Sequence, residues 1–355
     1  MILVGNLRKS FFALSFLILF TSCSNKIQFN NLTGYTFGTY YDIKFFSESK
    51  NFDESDLDSI FQEFNSSLST YISSSIISRI NSNDEYFVDD LFIDVYNKSK
   101  GIYELTEGYF DPTIGLLLEY YGFGPPNNFD FKKYSFSEIL SSVGFDKTRL
   151  SGIRAIRGSD VIIKDNKLTK LDFNAIAKGY AVDIIASVMD KKNIDNYLID
   201  IGGEIRSKGS NINKNEFWKV AINNPDLNSE DKYYRILNLN NLSIATSGNY
   251  RNYKIDSITK KKYVHVINPI TGKSEQGNIL SVSVLSKSCF KADAYATAMM
   301  LGDIEYAINL TNRVEEIESF IIYVDSNNDI ADYSSDGFMK NIINPWNIQV
   351  LFLHS

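Results

Sequence analysis

Hydrophobic and polar positions change period several times along this chain. "YTFGTYYDIKFF", residues 35–46, alternates and is rich in aromatic and β-branched residues, the pattern of a strand pair or one bent strand. In "DESDLDSIFQEFNSSLSTY", Leu57, Ile60, Phe61, Phe64 and Leu68 recur at helical spacing behind an acidic start, which predicts an amphipathic helix. "VDDLFIDVYNKSKGIYELT" repeats that pattern and predicts a second helix ending near Gly101. "YYGFGPPNNFDFKKYSF" is broken by Gly122, Gly124, Pro125 and Pro126, and reads as a loop or lobe boundary. Short strands are expected in "AIRGSDVIIKDNKLTKLDF", followed by a helix in which Ile176, Tyr180, Ile184 and Val188 recur every fourth residue. "NYLIDIGGEIRSKG" reads as a buried strand turning at Gly202 and Gly203 into another. The last third mixes the strands "ILSVSVLS" and "SFIIYVD" with the helix "KADAYATAMMLG". This mixed order, without regular strand–helix–strand alternation, predicts an α+β fold.

The N-terminus changes the picture of where the folded part begins. Arg8 and Lys9 precede an apolar run from Phe11 to Phe20, then small residues and Cys23, which is the order of an export signal. A membrane span needs roughly 20 apolar residues, so this run is too short to be an anchor by itself. Thr21 and Ser22 directly before Cys23 resemble a bacterial lipobox, although Phe20 stands where Leu is usual. The expected organisation is a lipoprotein signal peptide over 1–22, a tether over 23–31 starting at lipidated Cys23, and one domain over 32–350. An ordinary signal peptide cut nearby is the alternative.

Composition narrows the chemistry. The 355 residues, 44% hydrophobic and 22% charged, suit a globular core, and a net charge of −7 without a basic cluster argues against nucleic-acid binding. With Cys23 lipidated, Cys289 is the only thiol left and no intramolecular disulfide can form. Two cysteines and two histidines cannot supply an ordinary zinc or copper site, so any metal is expected to be a hard ion held by oxygens.

Several constellations have both a chemical and a plain structural explanation. Asp293 and Thr297 are four apart on one helix face and could form half of a hard-cation site; Asp293 could equally be a cap and Thr297 a buried side chain. "LDFNAIAKGYAVD" runs from strand into helix with Asp172 at the strand end and Lys178 beside Gly179, an arrangement suited to phosphate or to a solvated lysine. "SIATSGNYR" clusters Thr246, Ser247, Gly248, Asn249 and Arg251, as a ligand-approaching loop or as a hairpin turn. The pair Gly202–Gly203 fits a bulge or a ligand. His265, beside a turn of Asn268, Pro269, Thr271 and Gly272, is a base or a structural histidine.

Taken together, "FGTYYDI", "LSTYISSSIISRIN", "EGYFDPTIGLLLEYYGFGP", "LDFNAIAKGYAVD", "YLIDIGGEIRSKG", "IATSGNYR", "HVINPITGK" and "KADAYATAMMLG" occur in an order that resembles the ApbE family of FAD:protein FMN transferases, over about Tyr35 to Gly302. The resemblance implies an α+β, T-fold-related unit of two lobes with mixed sheets and packed helices. It implies an Mg²⁺-dependent enzyme of the bacterial cell envelope that cleaves FAD, joins FMN to a Thr or Ser hydroxyl of an exported redox protein and releases AMP. It would make His265 the catalytic base, and Asp293, Thr297 and the Ala175 carbonyl the metal ligands. Flavin-nucleotide contacts would fall at Phe37, Tyr71, Ile72, Ser73, Tyr109, Phe110, Asp111, Asp172, Lys178, Thr246 and Ile267. Abundant aromatics, 22 Tyr and 25 Phe, give means to stack its rings. Asn268 stands where the family usually has Asp, and Phe37 where Met often precedes Gly-Thr. FAD hydrolysis to FMN and AMP at the same site, or flavin binding without turnover, are the competing functions. The chain lacks the family's D-G-x-S/T-x-A-T acceptor run, so it is not expected to modify itself.

Overall fold

The computed structural model describes residues 27–48, 51–84, 86–151, 160–226, 229–248, 253–255, 262–264, 266–274 and 277–343. The first alternating segment forms a hairpin. Strands Gln28–Thr36 and Thr39–Ser47 pair from Gln28 opposite Ser47 to Thr36 opposite Thr39. They are joined by Phe37 and Gly38 at φ of 51° and 75°, the left-handed backbone that a two-residue hairpin turn requires. Residues 28–31, expected in the tether, are strand. Phe29 holds that end down, its ring 5.3 Å from that of Phe46.

This hairpin is one edge of an eight-stranded sheet. The order continues through Asn196–Ile201, Glu204–Lys208, Ser243–Gly248, Ile279–Ser286, Ile317–Val324 and Ile330–Ser334, with every neighbouring pair antiparallel. Both faces are covered, which explains why its central strands read as near-continuous apolar runs. Ala245, Val284 and Ile321 belong to the main core with the helices Glu54–Leu68, Asn174–Lys191 and Cys289–Met299. Their neighbours Ile244, Leu285 and Ile322 point the other way, into a core shared with Val220 and Leu237 of a three-stranded sheet. A third cluster of Leu116, Leu117, Ile139, Val143 and Ile267 packs the short helices Gly115–Tyr120 and Phe136–Ser141.

Most helical expectations hold, with informative differences. Leu57, Ile60, Phe61, Phe64 and Leu68 are all buried on Glu54–Leu68, which opens with a capping box from Asp53 and Asp56. The second expected helix, Asp90–Leu105, does not stop at Gly101. Glycine costs about 1 kcal/mol inside a helix, but burying Ile102 continues the packed face, and the chain leaves the helix only where Glu107 and Gly108 take positive φ. Residues 121–130 are irregular as expected, and within 155–173 Asp160–Lys164 is the strand among the described residues. No described helix is long and apolar enough to cross a membrane, and Cys289 is a buried free thiol.

Candidate active site

Two helices meet at a glycine. A Cβ on Gly179 would lie 2.5 Å from the Cys289 carbonyl oxygen and 2.9 Å from Asp293 Cβ, so only hydrogen lets Asn174–Lys191 approach Cys289–Met299 this closely. At the contact, the Gly179 N–H donates to Asp293 Oδ2 at 3.0 Å. Ala175, whose carbonyl is four residues back from that N–H, lies in the first turn of the same helix. Thr297, one turn beyond Asp293, has its Oγ1 3.3 Å from Ser247 Oγ on strand Ser243–Gly248. Asp293 is not a cap: the first N–H groups of its helix, those of Cys289 and Phe290, donate to Asp183 at 3.0 Å each.

The carboxylates here are buried, and the partly exposed Lys178 is paired with them. Lys178 Nζ lies 2.7 Å from Glu204 Oε1 and 4.0 Å from Asp293 Oδ1, so it is an ion-paired lysine and not a solvated one. Burial opposes its charge, but Asp293 and Glu204 outweigh that and hold its pKa above the ordinary value. Burial likewise pushes the Asp293 and Glu204 carboxyls up, against the opposing pull of Lys178. Glu204 reaches Lys178 because Gly202 and Gly203, at φ of 66° and 105°, turn the chain tightly into its strand. A Cβ on Gly202 would also meet Thr39 Cγ2 at 2.6 Å, so that pair has a backbone reason to be glycine.

The other expected positions divide between surface and interior. Phe37 packs on Phe61 and Phe64 at 5.4 and 5.8 Å between centroids. Tyr71, Ile72 and Ser73 are exposed, and the Tyr71 hydroxyl donates to the Phe123 carbonyl at 3.4 Å. Tyr109 stands 4.3 Å from the Tyr306 ring. Phe110 is buried in the main core. The Asp111 carboxylate is taken up internally: it accepts the Thr113 N–H and hydroxyl at 2.7 and 2.6 Å and the Phe145 N–H at 3.2 Å. Asp172 accepts from the backbone and side chain of Asn174 at the helix start, and burial pushes its carboxyl up to about 6. Thr246 points away from Thr297, since alternate residues of a strand face opposite ways; it lines a small cavity with Tyr40, Asp200 and Gly203.

Ile267 is buried, and Asn268 after it builds the expected turn, its Oδ1 accepting the N–H groups of Ile270 and Thr271 at 2.9 and 3.0 Å. Asparagine thus supplies the acceptor that shapes this turn without a charge. The turn is pinned to the end of helix Gly115–Tyr120 by the Tyr121 hydroxyl, which donates to the Gly272 carbonyl at 3.0 Å. His265 and Cys23 lie outside the described residues.

The ApbE family model matches residues 37–321, which covers the hairpin's turn and second strand, the Gly179 crossing and the helix carrying Asp293. The chain belongs to the ApbE family. An FAD:protein FMN transferase from Vibrio cholerae is 32% identical over 344 residues, 92% of this chain and 96% of its own. One from Escherichia coli is 31% identical over 298 residues, 79% and 81% of the two chains. The solved flavin transferase ApbE from Vibrio cholerae is similar with a TM-score of 0.75 at 29% identity, covering 89% of this chain and 100% of that one. The apo flavinyl transferase ApbE from Pseudomonas stutzeri gives 0.75 at 25% identity, covering 89% and 97%.

Within this ApbE-family fold, Glu204 and Asp183 join the site without any local signal in the sequence. Each is an ordinary acidic residue until the fold brings Lys178 or the end of a second helix to it. Among the described residues no group of three or more His, Cys, Asp and Glu side chains could hold a metal. A cation at Asp293 would rest on one carboxylate with neutral oxygens around it, a hard donor set that suits Mg²⁺ completed by phosphate and water.

Proposed function

We propose that this chain is an Mg²⁺-dependent FAD:protein FMN transferase, held by lipid on Cys23 in the bacterial cell envelope. The observation that carries the reading is the crossing at Gly179, where a buried carboxylate accepts a helix N–H and lies beside an ion-paired lysine. Asp293, Thr297 and the Ala175 carbonyl would hold Mg²⁺, which when bound supplies positive charge against a diphosphate. Lys178 adds a second positive charge near the start of its helix, where an anionic diphosphate is favoured. Phe37, Tyr71 and Tyr109 offer ring faces to the flavin nucleotide.

In the proposed transfer the acceptor hydroxyl oxygen bonds to the FMN phosphorus, and the bond from that phosphorus to the bridging oxygen breaks. AMP leaves with the bridging oxygen. His265 takes the hydroxyl proton, so one general base and electrostatic positioning suffice. The domain begins as an extracytoplasmic unit behind the signal peptide, and its acceptor is an exported protein.

Incubation of the purified chain with FAD, Mg²⁺ and an acceptor carrying D-G-x-S/T-x-A-T tests this. Transfer produces a fluorescent flavin band on the acceptor under denaturing conditions and one AMP per flavin attached, both lost in His265→Ala. Free FMN with an unlabelled acceptor would make the chain an FAD hydrolase, and no AMP at all would leave only flavin binding.

A further inference from the structure

Lys178 is shared unequally between two buried carboxylates, 2.7 Å from Glu204 and 4.0 Å from Asp293. We propose that Glu204 is a positioning residue that draws the Lys178 ammonium off Asp293 and so keeps the Asp293 carboxylate open to a divalent cation. The inference rests on the reading of Asp293 as a cation ligand and adds to it a residue from a different strand.

The reason is competition for one carboxylate. An ammonium seated on Asp293 would neutralise the charge that a cation needs, and it is hard to displace because that carboxylate, 5% exposed, has little other solvation. Lys178 comes from the same first turns of helix Asn174–Lys191 that bring Gly179 to Asp293, so it always lies within reach of that carboxylate. Something must hold it aside.

Glu204 is built to do so. Its backbone cannot follow the lysine, since it leaves the Gly202–Gly203 turn directly into strand Glu204–Lys208. Two residues along the same face, Arg206 is ion-paired with Asp183 of the lysine's own helix. Two crossed pairs, Glu204 with Lys178 and Arg206 with Asp183, therefore clamp the helix to the strand. Glu204 is 6% exposed, and its Oε2 is buried with no hydrogen-bond partner, so its charge is not spent on another donor.

A double-variant cycle read by Mn²⁺ binding to the FAD-free protein, using electron paramagnetic resonance, tests the idea without turnover. Glu204→Gln removes the pull on Lys178 and is expected to weaken Mn²⁺ binding about tenfold. Lys178→Met in the Glu204→Gln background removes the competitor and should restore binding to about the level of Lys178→Met alone. The lysine's effect must thus be larger without Glu204 than with it. Equal effects of Lys178→Met in both backgrounds would show that the two charges act independently, and would overturn the proposal. Should Glu204→Gln fail to fold, Glu204→Asp, which withdraws the carboxylate from Lys178 while keeping its charge, must weaken Mn²⁺ binding; unchanged affinity overturns the proposal. Wild-type Mn²⁺ binding that survives Asp293→Ala would overturn the cation-ligand reading itself, and this inference with it.

Discussion

Asp183 caps a helix to which it does not belong, its two carboxylate oxygens accepting the N–H groups of Cys289 and of Phe290 at 3.0 Å each. Ser288, at the ordinary capping position, makes no side-chain cap, so the helix carrying Asp293 takes its start from the helix carrying Ala175 and Gly179. Asp183→Ala would leave two helix N–H groups unmet and strand Arg206 beside them. The expected cost is about 2–3 kcal/mol, from the loss of a cap and of a largely buried ion-pair partner. Urea denaturation followed by circular dichroism checks it, and a change below about 0.5 kcal/mol would mean that the cap is not structural.

Gly179→Ala probes the crossing itself. The added methyl would have to displace the Cys289 carbonyl, 2.5 Å away, and the Asp293 side chain. Overpacking of this kind costs about 1–3 kcal/mol, and by moving Asp293 it should lower AMP release from FAD by more than its effect on stability accounts for. Steady-state turnover at a temperature where the variant is fully folded separates the two.

Asp293→Asn keeps the shape and removes the charge. The fold should remain cooperative, because the Gly179 N–H keeps an acceptor oxygen, while Mg²⁺-dependent AMP release falls by about a hundredfold or more. Full activity in this variant with chelator present would end the metal assignment.

Asp111 gives a pH signature in stability, readable without turnover. Burial pushes its carboxyl from the ordinary 3.8 to about 6, against hydrogen bonds from Thr113 and the Phe145 N–H. A raised carboxyl pKa means that the folded state holds the proton more tightly than the unfolded chain. Its contribution to stability is then complete below about pH 4 and is lost as pH rises to about 6, an effect of roughly 3 kcal/mol. Asp111→Asn should flatten the stability curve between those pH values, measured by urea midpoints; an unchanged slope would assign the titration elsewhere.

The helices and their inner faces were legible because each is a local pattern. Leu57 to Leu68 announces a buried stripe by spacing alone, and the alternation from Tyr35 to Phe46 announces strand, though not that the preceding residues 28–34 would pair with it. Gly101 misled, because whether a helix survives a glycine depends on what the next turn packs against. The site was legible as separate blocks in family order, since Asp293, Thr297, Lys178 and Ala175 stand in recognisable neighbourhoods. Spacing could not distinguish a capping Asp293 from one that faces Gly179, or a solvated Lys178 from a paired one. Nor did "IATSGNYR" reveal that Ser247, and not Thr246, turns toward Thr297; strand alternation divides such neighbours only after the sheet's two faces are known. The amino-acid order by itself determined which residues could be strand, helix or turn, because φ and ψ preferences and apolar periodicity act over a few neighbours. Only the tertiary structure decided which charges meet, because Glu204, Lys178, Asp293 and Asp183 come from three elements, and their pairing depends on how closely two helices can approach across one missing Cβ.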